Sequence, residues 1–261
     1  MKIKALFFDI DGTLVSFTTH RIPESTIEAL REAHRRGVRI FISTGRPPAI
    51  INNIGEIAPL VDGMVTVNGA LCFVGDRVVA ADAIPKDRVE AVLKAVDKLN
   101  VPCVLVGERK LALYNPQEYA VEIFRNMLDV ADIGQNNDPA EVLASGVLQL
   151  TPFITESEEA DVLPLLTGVE TGRWCHYFMD ITAPGVCKAR GMEEIARHCG
   201  FSLEESMGFG DGGNDISMLQ AAGIGVAMGN ANDEVKSCAD YVTTSVDDHG
   251  VANALRHFGV I

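Results

Sequence analysis

ALFFDIDGTLV, residues 5–15, runs four apolar side chains straight into two carboxylates, Asp9 and Asp11, and then a Gly-Thr turn. The apolar run is continuous rather than alternating, the mark of a strand covered on both faces, as in parallel sheets flanked by helices. Side chains two apart on extended backbone point the same way, so Asp9 and Asp11 share a face and Ile10 takes the other. Two carboxylates so close repel, and one keeps its proton unless a cation offsets them. The stretch is therefore either a strand ending in an ordinary acidic turn or a pair of groups set to hold a cation. DxDG alone reads as readily one way as the other.

Downstream, the strand's pattern recurs. PESTIEALREAHRRG (23–37) has Pro23 early, Ile27, Leu30 and Ala33 at helical spacing, basic residues late and Gly37 at its end. VRIFIST (38–44) is a second β-branched run, followed by the turn Gly45-Arg46-Pro47-Pro48, a helix expected over 49–58 and a short strand MVTV (64–67). Strand-helix-strand alternation implies right-handed crossovers and a parallel sheet.

The middle of the chain differs. CFVGDRVVA (72–80) reads as a hairpin turning at Gly75-Asp76. Helical patterns at 87–99, 117–129 and 156–166 then alternate with strand-like VPCVLVGE, LALYN, VLQLTPFIT and RWCHYFMDIT. After Pro184-Gly185 the first pattern resumes: a helix over 188–199, a strand MGFG (207–210), the helix NDISMLQAA, a strand GVAM (225–228) and a final helix VANALRHFG. The expected fold class is α/β, a doubly wound, mostly parallel, Rossmann-like sheet built from 1–82 and 184–261, with an α+β domain over 83–183 inserted between its halves.

A chain of 261 residues can bury a large core, and 47% hydrophobic content fits a globular protein. No apolar run approaches the ~20 residues a membrane span needs, and Asp9 interrupts the N-terminal patch before a signal sequence could form. The expectation is a cytoplasmic protein without a membrane partner. Cysteines 72, 103, 175, 187, 199 and 238 make no CxxC pair, so they read as reduced, mostly buried thiols. A formal charge of −14 argues against nucleic acid, whose phosphates are bound through clustered Lys and Arg. An anionic ligand would need local positive charge from a metal and one or two basic residues.

In an open parallel sheet, ligands sit at the carboxyl ends of the strands. Asp9 and Asp11 end the first strand, Ser43-Thr44-Gly45 the second, and Asp211, Asn214 and Asp215 follow the strand at 207–210. Three acids at one sheet edge suit a hard, oxygen-seeking ion such as Mg2+. GDGGNDISML (210–219) lets backbone come close to a ligand, although its Asp or Asn could equally cap a helix. Lys188 opens a helix, where a cation is unfavourable to the dipole unless something anionic compensates it.

Taken in order, FFDIDGT, ISTGR, the lysine of GVCKARGMEEI and GFGDGGNDISML resemble the four motifs of the haloacid dehalogenase-like superfamily. The whole chain, insertion included, is similar to its Cof-type, or IIB, sugar phosphatases. Asp11 matches the phosphatase form of the first motif, which the dehalogenases lack. The resemblance implies an Mg2+-dependent phosphatase acting on small phosphorylated metabolites, hexose phosphates first, with pyridoxal phosphate and flavin or nucleotide monophosphates as alternatives.

It also implies roles. Asp9 is the nucleophile that becomes an aspartyl phosphate, and Asp11 the general acid and base. Mg2+ is held by Asp9, the Asp11 carbonyl and Asp211, with Asp215 behind them. Ile10, Thr44, Gly45 and Asn214 bind the phosphoryl oxygens, and Lys188 offsets the crowded negative charge. The insertion becomes a cap that chooses the substrate, and Arg46, Asn68, Gly69 and Arg173 are candidates to touch the leaving group. Cap residues near Trp174 and His176 are candidates too, although Trp174 and Tyr177 read more simply as cap core and His176 as a surface or satisfied histidine. A monomer or weak oligomer is expected. A signalling receiver domain combines similar groups but is about half as long and carries no insertion, and a mutase would return the phosphate to a sugar rather than to water.

Overall fold

The computed structural model describes residues 2–261 apart from Leu163, Leu165 and Trp174, and for Asp161 the backbone alone. The residues form two compact units, one of Met1–Gly45, Ile51–Ala80 and Cys187–Ile261, the other of Arg46–Ile50 and Ala81–Val186.

In the first unit, β1 (Ala5–Phe8) is wholly buried, as its unbroken apolar run requires. α1 (Glu24–Arg35) follows Pro23, buries Ile27, Leu30 and Ala33, and closes with His34 and Arg35 where the helix dipole favours positive charge. Next come β2 (Arg39–Ser43), β3 (Val61–Thr66), β4 (Leu71–Val74) and β5 (Arg77–Ala81), the last two joined at Gly75-Asp76. No α-helix occupies 49–58; single 3-10 turns stand at Pro48–Ile50 and Ala58–Leu60. Pro47, Pro48 and Pro59 withhold backbone donors, and Asn52, Asn53 and Gly55 weaken what lies between them.

The second unit runs α2 (Lys86–Leu99), β6 (Cys103–Val106), β7 (Leu111–Tyr114), α3 (Glu118–Leu128), α4 (Pro139–Ser145), β8 (Gln149–Pro152), α5 (Glu156–Val162), β9 (Glu170–Gly172) and β10 (Asp180–Thr182). Its strands pair antiparallel in the order β7-β6-β8-β10-β9. Phe124, Phe153 and Phe178 meet in its core with ring centroids 5.2–6.0 Å apart. The strand expected over 173–182 survives only as β10, because Cys175–Tyr177 bend away. Tyr177 is accordingly a surface residue with its ring tilted against that of exposed His176 rather than core, and Trp174 lies outside the described residues.

The chain then returns to the first unit with α6 (Lys188–Cys199), β11 (Ser206–Gly210), α7 (Ile216–Ala221), β12 (Ile224–Ala227), α8 (Asp233–Ser237), β13 (Tyr241–Val242) and α9 (Gly250–His257). Among the described residues its sheet has eight strands, ordered β13-β12-β11-β1-β2-β3-β4-β5. From β13 to β3 every pairing is parallel, and β4 runs antiparallel to β3. Leu6, Phe8, Ile40 and Ile42 cluster with Leu30 of α1 and Leu255 of α9, whereas Ala5, Phe7 and Phe41 cluster with Met192 and Ile195 of α6. That is the doubly wound core expected. β1 lies between β11 and β2, and Phe8 is in register with Phe209 and Ile42, so the three strand ends lie side by side. All six cysteines are free; only Cys72 and Cys103 are fully buried, fewer than expected.

Candidate active site

Asp9 leaves β1 at this line of strand ends, its amide still donating to Phe209 O at 3.0 Å. α6 begins at Lys188, whose side chain is completely buried and reaches Asp9 Oδ1 and Asp215 Oδ1, each at 2.6 Å. An unpaired ammonium could not stay charged there. Burial works to strip its proton, but Asp215 and Asp9, by charge and by hydrogen bonds, more than offset this and raise the lysine above its ordinary range. The anion that compensates a cation at a helix start is thus this carboxylate pair.

The loop after β11 is built around Asp215. Its Oδ2 accepts from the amides of Asp211 at 3.0 Å and Gly212 at 2.9 Å, which winds the loop about one carboxylate. Asp211 is gripped from the first motif: Thr13 Oγ1 donates to its Oδ1 at 3.0 Å. Asn230 Nδ2 donates to its Oδ2 at 3.1 Å and to Gly12 O at 2.9 Å. Gly12, at φ +84°, could carry no side chain, since a Cβ would stand 2.2 Å from Asp211 Oδ2.

Asp9, Asp211 and Asp215 each offer an oxygen within 4.8 Å of the others. Burial, the largest influence, raises the Asp9 carboxyl well above its ordinary value; Lys188 opposes this, and Asp215, Asp211 and Asp11 add to it. Asp211 is pushed up to about 7, again chiefly by burial and then by Asp215. Four carboxylates face one ammonium, so full ionisation would leave three uncompensated negative charges in a buried place. Such a donor set fits a hard divalent cation and gives a soft one no reason to bind. Asp215 spends Oδ1 on Lys188 and Oδ2 on two backbone amides, which suits it to hold the frame of the loop, whereas Asp211 accepts from side chains alone.

Other expected residues fall into two groups. Thr44 is buried beyond the end of β2, with its amide donating to Val65 O at 2.8 Å. Gly45 lies against Asn68, whose Oδ1 accepts from Asn214 Nδ2 at 3.0 Å. Ile10 keeps its side chain in the core, and Asp11 is half-buried next to it. Gly69 packs on the carbonyl of Cys187, the residue before Lys188. Arg46 and Arg173 belong to the second unit. Arg46 is buried and donates to Ile50 O at 3.1 Å. Arg173 pairs with Glu159 and donates to the carbonyls of Ile154, Cys175 and Phe178, so its guanidinium frames a bend of its own unit.

Thr13 and Asn230 escaped the sequence reading, and Ser43 was placed at the sheet edge without a role. Thr13 stood within the first motif but carried no distinguishing spacing, and Asn230 has no local signal. Ser43 follows Ile42, the partner of Phe8, and so stands beside Asp9 with its hydroxyl buried and without a partner among the described residues.

Comparison with known proteins agrees with this arrangement. The family model described as haloacid dehalogenase-like hydrolase matches residues 6–255. The solved structure of the HAD subclass IIB sugar phosphatase BT4131 is 53% identical, covers 99% of this chain and 100% of its own, and superposes with a TM-score of 0.93. The phosphatase BT1666 from Bacteroides thetaiotaomicron is 38% identical over 100% of this chain and 96% of its own, with a TM-score of 0.88. A Bacillus subtilis relative, 5-amino-6-(5-phospho-D-ribitylamino)uracil phosphatase YcsE, is 30% identical over 98% of this chain and 96% of its own. With the motifs, the sheet order and these full-length likenesses in agreement, the chain belongs to the haloacid dehalogenase-like hydrolases and has the build of their subclass IIB.

Proposed function

We propose that this protein is a Mg2+-dependent phosphatase of small phosphorylated metabolites, hexose phosphates first, working through an aspartyl phosphate on Asp9. The observation that carries the reading is the group of buried Asp9, Asp215 and Lys188 with half-buried Asp211, collected from three separate parts of the chain. The sugar-phosphate class is supported by the 53% identical sugar phosphatase that matches from end to end. YcsE, a phosphatase of a ribitylaminouracil phosphate, is more distant at 30% and keeps that substrate class second. Choice among esters is assigned to the second unit.

In the first step a carboxylate oxygen of Asp9 attacks phosphorus, the bond from phosphorus to the ester oxygen breaks, and Asp11 gives its proton to the departing alkoxide. In the second, Asp11 takes a proton from water as that water attacks phosphorus, and the acyl phosphate opens to inorganic phosphate and free Asp9. Lys188 opposes the burial that raises Asp9 and orients its carboxyl before the first step. Thr44, the Gly45 and Ile10 amides and Asn214 hold the phosphoryl oxygens. Asp9, Asp211 and the Asp11 carbonyl would hold Mg2+, which would supply positive charge against the negative charge gathering on the phosphoryl group. Unaided phosphate-monoester hydrolysis is so slow that enzymes accelerate it by up to ~10²¹-fold, more than any one of these groups can provide.

Asp9→Asn should lower phosphate release from p-nitrophenyl phosphate and from hexose phosphates by at least ~10³-fold, and chelation of divalent ions should do the same reversibly. Turnover that survives either treatment sinks the mechanism.

A further inference from the structure

After β3 the chain makes an unusual turn. Val67, Asn68 and Gly69 all have positive φ, at 54°, 54° and 107°. Glycine and asparagine tolerate this region, but a β-branched residue there is an outlier that surrounding structure must hold in place. Val67 is fully buried, and the turn is clamped on every side. Asn68 N donates to Thr44 O at 3.1 Å and Ala70 N to Val67 O at 3.0 Å. Cys72 Sγ lies 3.5 Å from Gly69 O, and a Cβ on Gly69 would stand 2.2 Å from Cys187 O. The turn is thus wedged between the loop after β2 and the residue that precedes Lys188.

What this strain delivers is one carboxamide. Asn68 Oδ1 accepts from Asn214 Nδ2 at 3.0 Å, while a Cβ on Gly45 would come within 3.1 Å of Asn68 Oδ1 and 3.2 Å of its Nδ2. Gly45 lies beyond β2 and Asn214 beyond β11, two loops separated by the loop after β1. Asn214 is exposed, and among the described residues this is the one hydrogen bond its carboxamide makes.

We infer that Asn68 is a positioning residue for the phosphoryl site: the strained Val67–Gly69 turn holds its carboxamide as a cross-brace that fixes Asn214 relative to Gly45. The inference rests on the phosphatase reading for what the two loops bind. It assigns Asn68 no contact with the reacting atoms.

The test measures binding of inorganic phosphate, with Mg2+ present, by calorimetry on the full chain and its variants. Asn68→Gly keeps the left-handed backbone and deletes the brace; phosphate binding should weaken about tenfold, the worth of one hydrogen bond in placing a ligand group, with little change in melting temperature. Asn68→Ala should weaken phosphate equally but also melt earlier, because alanine resists this φ. Asn214→Ala should weaken phosphate as well, and adding Asn68→Gly to it should cost nothing further, since the brace acts through Asn214. Unchanged phosphate binding in Asn68→Gly, or full additivity in the double variant, overturns the inference. A parent chain that binds phosphate but hydrolyses no ester would refute the phosphatase reading alone, and the binding comparison would still judge Asn68. A parent chain that binds no phosphate overturns both.

Discussion

Lys188 carries the sharpest energetic consequence at the scale of single residues. It is a completely buried ammonium held by two carboxylates at 2.6 Å. Removing one side of a buried ion pair costs about 3–5 kcal/mol, chiefly because the partner is left uncompensated. Lys188→Met, similar in length and unable to pair, should lose that much in chemical denaturation and should lose turnover as well. Asp9→Asn should do the opposite to stability. The amide oxygen can still accept from Lys188, and one of four crowded carboxylates disappears, so the inactive variant should be at least as stable as its parent. A loss under about 1 kcal/mol in Lys188→Met would mean that the ion pairs do not hold this site together. Asp9, Asp11 and Lys188 stood out only through the order of the four motifs, since DxDG alone and a lysine at a helix start alone each have a plain structural explanation. Thr13 and Asn230 did not stand out, since a hydroxyl or amide sits almost anywhere and only the fold reveals what it touches.

Among elements, legibility followed length and pattern. α6 came out as expected because apolar spacing, a basic last turn and Gly200 all agree on its bounds. α4, α8, β9 and β13 span 7, 5, 3 and 2 residues, too short for any period to show. The helix expected at 49–58 failed because Asn52, Asn53 and Gly55 weaken its interior and Pro59 withholds a donor at its end. α5 shows how much a start signal settles. Glu158 Oε2 accepts from Thr155 N at 2.9 Å and Thr155 Oγ1 at 2.6 Å, tying the third helical residue back to the cap. These bonds, the hydroxyl first and the amide second, hold the Glu158 carboxyl below its ordinary value. A carboxyl lowered on folding stabilises the folded chain above its unfolded pKa, roughly 4.3, and the contribution drains as pH falls through the lower folded value. The Thr155 amide resonance should therefore titrate with a midpoint below the ordinary glutamate value in NMR spectra, and Glu158→Ala should weaken α5 by about 1 kcal/mol. A titration centred at or above the ordinary glutamate value would show that the cap does not form in solution.

For the whole molecule, the discontinuous first unit was readable because one alternation of strand and helix stopped and later resumed. Its sheet order was not, since nothing local says that β11, some two hundred residues downstream, lies against β1. The contiguous part of the second unit, Ala81–Val186, has its own antiparallel sheet and its own aromatic core. Its first strand-like segment is anchored internally, with Ile84 N donating to Val147 O at 2.7 Å. A domain of about a hundred residues buries enough apolar surface to fold by itself, and every strand of this sheet comes from the same segment. Residues 81–186 expressed alone should therefore unfold in one cooperative transition with a dispersed amide spectrum. The remainder, cut at two points, should keep the β11-β1-β2 pairing only if those points are joined by a short linker, because β5 and α6 are otherwise separate chains. A fragment 81–186 without cooperative unfolding would show that the insertion depends on the first unit for its fold, and the assignment of substrate choice to an independent module would fall with it.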